Sequence, residues 1–130
     1  MKKLMLVAMT LTLAGAVWAA EGMKKEKAAA SASVTLTGEV LDLSCYLGHG
    51  AAGGGHMKCA KACLTDKGAP AGLLTKDGKI FLLVQSHEGE KAYKALCALG
   101  GEQAKVTGTK NDKGGLQAIV VDKVEKVEKP

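Results

Sequence analysis

Val34-Thr35-Leu36-Thr37-Gly38-Glu39-Val40 decides the fold class. Successive side chains of an extended chain point to opposite faces. Val34, Leu36, Gly38 and Val40 therefore share one side, and Thr35, Thr37 and Glu39 the other. Alternation with β-formers over this length predicts a half-buried strand from Val34. Downstream, Leu43 and Cys45 lead into Gly48-His49-Gly50-Ala51-Ala52-Gly53-Gly54-Gly55. Five glycines within residues 48–55 predict a loop with no regular element. His56 to Leu64 reads as a short helix that ends near Asp66-Lys67-Gly68.

Leu73-Leu74-Thr75, Asp77-Gly78 and Ile80 to Val84 read as a hairpin, with φ > 0 expected at both residues of the Asp-Gly turn. Glu88 to Leu99 carries Ala92, Tyr93, Leu96 and Leu99 on or near one face, which predicts a second helix, and Gly100-Gly101 stop it. Ala104 to Thr109 is a strand, Asn111 to Gly115 a loop and Leu116 to about Val124 a last strand. The alternating Val, Lys and Glu of the tail are expected to fray. Three strands, a helix and two strands form the order of a small five-stranded OB-type barrel. The prediction is thus a mainly β domain over residues 34–127, with short helices and a Cys/His-bearing Gly-rich loop between its first two strands. An open α+β sheet with helices on one face is the alternative.

Upstream, Met1-Lys2-Lys3, an apolar run from Leu4 to Val17, and Val17-Trp18-Ala19 have the layout of a signal peptide cleaved after Ala19. The run is shorter than the about 20 residues a membrane span needs. Residues 20–33, with Lys24, Lys25, Lys27 and an Ala/Ser run, read as a flexible leader. These segments predict a periplasmic or secreted protein with no membrane association after cleavage. The formal net charge is +5, and all 18 basic residues are Lys. Bidentate recognition of phosphate and guanine relies on Arg, and base stacking needs aromatic platforms. With no Arg, and only Tyr46, Phe81 and Tyr93 as aromatics beyond the leader, nucleic-acid binding is not expected.

The chemistry-bearing residues lie between Cys45 and Cys63. On a helix, His56, Cys59 and Cys63 at i, i+3 and i+7 fall within about 60° of one another. The Gly-rich loop is supple enough to bring Cys45 over that face. Three sulfurs and one imidazole nitrogen are the ligand set of a tetrahedral zinc site, and thiolates also select Cu(I). His49 and Met57 are additional donors nearby. The expectation is a small exported module that holds Zn or Cu(I) through Cys45, His56, Cys59 and Cys63, for structure, storage or delivery. The metal ion is its partner, and a delivery role leaves room for a periplasmic protein as well.

Two other readings stay open. An exported domain with four cysteines can be stapled by disulfides, as a binding or scaffold module without metal. One of the thiols can also serve redox or nucleophilic chemistry, which requires a depressed pKa. No catalytic motif accompanies them: Gly-x-Ser-x-Gly, a phosphate loop and a two-His helix motif are all missing. Cys97, beside Leu96 on an apolar helix face, reads as a buried free thiol. Asp42 reads as a hydrogen-bonding residue at a strand end, and His87 as an exposed loop residue.

The run Gly38-Glu39-Val40-Leu41-Asp42, Cys45-Tyr46, His56-x-x-Cys59-Ala60-x-x-Cys63, then Gly68-x-Pro70-x-Gly72-Leu73-Leu74 and Asp77-Gly78-Lys79, resembles a group of small exported bacterial proteins. The resemblance covers about residues 34–125, with the Cys/His motif its most specific part. It implies an OB-like fold and the location of the site, and brings no activity with it. Copper-delivering thioredoxin-like proteins share only the CxxxC ligand chemistry, not the strand and helix order.

Overall fold

A computed structural model describes residues 31–128; the expected signal peptide and all of the leader before Ser31 lie outside the described residues. The strands are β1 (Ala32–Asp42), β2 (Ala71–Thr75), β3 (Ile80–Gln85), β4 (Gln103–Lys113) and β5 (Leu116–Lys126). Three helices, α1 (Leu43–His49), α2 (Met57–Asp66) and α3 (Glu90–Cys97), and a 3₁₀ turn at Gly54–His56 complete the order. The strands close into a barrel in the order β1-β2-β3-β5-β4, so the OB-type expectation holds and the open sheet does not. Only β3 and β5 are parallel; every other pair is antiparallel.

β1 is long because it serves two neighbours. Its first part, Ala32 to Glu39, pairs with β4, and its second, Gly38 to Asp42, pairs with β2. Ala32 and Ser33, assigned by sequence to the leader, already pair with Lys110 and Thr109. The barrel interior takes alternate residues, among them Val40, Leu73, Phe81, Leu83, Val106, Ile119 and Val121. Leu96 and Cys97 of α3, which packs against β5 and β3, and Leu64 of α2 join the same core.

The turns correct two expectations. Only Gly78 of the Asp77-Gly78 pair has positive φ (79°), and the Gly78 N–H donates to the Thr75 carbonyl at 3.0 Å. Four residues separate β2 from β3, and a longer loop needs only its glycine in the left-handed region. The two-residue turn sits instead at Gly114-Gly115, with φ of 60° and 79°, joining the partners Lys113 and Leu116. That tight turn lets Asn111 to Lys113 continue β4 rather than form a loop. The tail stays in the barrel through Lys126, opposite Ala104, instead of fraying.

Candidate metal centre

The segment read as passing straight into a Gly-rich loop contains α1. Asp42 ends β1 and caps this helix: its Oδ1 accepts from the N–H groups of Ser44 (2.9 Å) and Cys45 (3.3 Å). Leu43 is buried, and its N–H donates to the Pro70 carbonyl at 2.9 Å, which ties the helix start to the approach to β2. Gly50 closes the helix in the left-handed conformation, with its N–H on the Tyr46 carbonyl. α1 is short, buries only Leu43 and contains Gly48, so apolar periodicity could not reveal it.

The second half of the site stands on α2. Gly100 and Gly101 let α2 approach the barrel closely. A Cβ on Gly100 would lie 2.8 Å from the Lys61 amide nitrogen, and one on Gly101 2.7 Å from Met57 Cα. The Gly101 N–H donates to the Val40 carbonyl at 2.7 Å, which fixes this saddle to β1. Glu102 pairs with Lys61 of α2 and, at 2.6 Å, with Lys126 of β5.

These supports bring Cys45 from α1 together with Cys59 and Cys63 from α2; the three sulfurs lie within 4.8 Å of one another. Cys59 Sγ and Cys63 Sγ are 4.0 Å apart. Tetrahedral zinc with Zn–S of about 2.3 Å requires sulfurs about 3.8 Å apart, so this spacing is ready for a shared ion. A disulfide needs about 2.05 Å, and all four cysteines are free thiols. Cys63 is buried, Cys45 half-buried and Cys59 exposed. The cluster can hold a metal ion.

His56 joins the cluster through Cys45, from the start of α2. It precedes α2 as its cap residue, with φ −101° and ψ −2° rather than helical values near −63° and −42°. It belongs to a second group, in which an imidazole nitrogen of His56, Cys45 Sγ and a carboxylate oxygen of Asp42 lie within 4.8 Å of one another. Asp42 is the residue that sequence reasoning placed at a strand end but not at the site. Its proximity to Cys45 through the helix cap is the one signal that could have found it. His49 is exposed at the end of α1 and belongs to neither group. Met57 is half-buried against Gly101 and lines a 440 Å³ cavity with Glu39, Glu102 and Lys126. Cys97 is buried in the barrel core, and burial pushes its thiol pKa up.

Asp42 is 1% exposed, and its Oδ2 and His56 Nε2 are the buried side-chain N or O atoms left without a hydrogen-bond partner among the described residues. Burial works to raise the Asp42 pKa. The Cys45 thiol and amide, the Cys63 thiol and the Ser44 amide outweigh it and hold the carboxyl below its usual range. The same carboxylate, with burial and the two neighbouring thiols, pushes Cys45 up to about 12. Burial, then Asp42 and Cys59, raise Cys63 as well. Those directions are opposite to what a nucleophilic thiol requires.

No helix among the described residues is long and apolar enough to cross a membrane. No known protein family, curated protein or solved structure matches the chain.

Proposed function

We propose that this chain is an exported module that binds a thiophilic metal ion, Zn²⁺ or Cu⁺, in the thiol triad of Cys45, Cys59 and Cys63, with His56 beside it. The observation that carries the reading is the convergence of three sulfurs from two helices within 4.8 Å. Three thiolates at this spacing suit trigonal Cu⁺ and three corners of tetrahedral Zn²⁺ alike. Export rests on the signal-like residues 1–19.

Storage or delivery fits better than a structural role. Cys45, Cys59 and Cys63 lie outside the main hydrophobic core, which is built from strand residues with Leu64, Leu96 and Cys97. The barrel therefore has its own apolar core without the ion. Cys59 is exposed, so an incoming thiol can reach an ion held here. The test is metal content of the protein isolated from the periplasm, by native mass spectrometry, beside Cys59→Ser. Bound Zn or Cu is expected in the parent, with four thiols recovered on denaturation, and at least tenfold weaker retention in the variant. Unchanged stoichiometry and retention in Cys59→Ser would remove the triad from the assignment.

A further inference from the structure

The two groups of donors share Cys45, and each holds three ligand atoms mutually within 4.8 Å. One tetrahedral ion cannot use all five side chains, Asp42, Cys45, His56, Cys59 and Cys63. A thiolate sulfur has lone pairs enough to bind two ions at once. We propose that the centre is binuclear: Cys45 bridges one ion held with Cys59 and Cys63 and a second held with Asp42 and His56. This rests on the thiol-triad reading above and extends it to a carboxylate–imidazole–thiolate site for a divalent ion of the zinc class.

Three observations support the second ion. The buried polar atoms left unsatisfied among the described residues are Asp42 Oδ2 and His56 Nε2, and both side chains belong to this group. A buried acceptor without a partner is destabilising, and a cation coordinated by these side chains relieves it. Carboxylate, imidazole and thiolate are each established zinc donors, and a carboxylate suits Zn²⁺ better than Cu⁺. Charge also balances. Three thiolates and one carboxylate carry four negative charges, matched by two divalent ions, whereas a single ion leaves a net negative cluster beside a buried carboxylate. Binding involves no redox step; thiol protons leave to solvent as each ion enters.

The experiment is titration of the reduced, metal-free chain with Zn²⁺, read as ions per chain by native mass spectrometry. It is repeated on Asp42→Asn and His56→Ala. Asparagine caps a helix as well as aspartate, so the first variant keeps α1, and the second lies outside that cap. Two ions in the parent and one in each variant are expected. One ion in the parent, lost on Cys59→Ser, would overturn the binuclear centre and leave the triad standing. Two ions in the parent and in both variants would place the second ion elsewhere and overturn it too. No ion in the parent would overturn both readings.

Discussion

At the scale of single residues, Asp42 carries two duties at once. Oδ1 caps α1, Oδ2 is buried without a hydrogen-bond partner, and the carboxylate lies within 4.8 Å of Cys45 and His56. Asp42→Ala should therefore cost about 1 kcal/mol through the lost cap, read as a lower urea midpoint of the metal-free protein. Asp42→Asn should keep most of that stability. The thiols obey a second rule. Cys45 and Cys63 hold their protons above the ordinary range in the metal-free protein, Cys45 to about 12. An ion must displace those protons, so zinc affinity should rise with pH and fall as pH drops. Calorimetry in buffers of different ionisation enthalpy checks it: proton release per ion should exceed one at pH 7, and a pH-independent affinity would contradict the protonated cluster. Sequence spacing exposed the candidate donors Cys59 and Cys63 because they lie one helical turn apart, and the Gly-rich segment before them pointed to Cys45. It also brought His56 to the cluster, where the imidazole lies within 4.8 Å of Cys45 and of Asp42, the residue that spacing did not mark.

At the scale of elements, the site depends on how α1 and α2 dock. Gly101 has φ 76°, and an added Cβ would lie 2.7 Å from Met57 Cα, so Gly101→Ala combines backbone strain with a clash. A loss of about 1–3 kcal/mol and weaker metal retention should appear together, measured by thermal unfolding and by competition with a chelator. The ion-pair link through Glu102 is a second brace. Lys126 and Lys61 hold the Glu102 carboxyl below its ordinary range, against the opposing effect of burial. A depressed carboxyl contributes stability above its unfolded pKa near 4.5 and loses it as pH falls through the folded value. Glu102→Gln should thus lower the unfolding midpoint at pH 7, by up to about 1 kcal/mol because the lysine ends are screened by water. It should have no effect near pH 2. The long strands and α3 were legible from alternation and apolar spacing. α1 was not, because one buried leucine in seven residues makes no pattern. Turn chemistry misled in one place: Asp77-Gly78 and Gly114-Gly115 both permit a two-residue hairpin, and only pairing between strands selects which is used.

At the scale of the whole molecule, the barrel core and the cysteine cluster are neighbouring but separate: Cys45, Cys59 and Cys63 lie outside the apolar core. Leu96 is fully buried where α3 joins the barrel core. Leu96→Ala should cost about 2–5 kcal/mol in a denaturant titration, with or without metal. Metal removal should act differently. A ligand at a hundredfold excess over its Kd stabilises the native state by about 2.7 kcal/mol, so chelation should lower the unfolding temperature. The far-UV signature of the strands should survive chelation at 25 °C; its collapse would make the ion structural. The sequence by itself determined the order of the five strands with α2 and α3, the two faces of β1 and the grouping of three cysteines between the first two strands. Those features follow from periods of two and 3.6 residues and from glycine placement, which act over a few neighbours in the chain. Closure of the barrel rests on partners far apart, such as Thr35 and Thr107, whose hydroxyls meet at 2.9 Å across 72 residues. The entry of Asp42 into the ligand cluster, and the pairing of His56 with it rather than with all three thiols, are of the same kind. Only the packing of α1 and α2 on the closed barrel decided them, because no local rule specifies where two short helices meet.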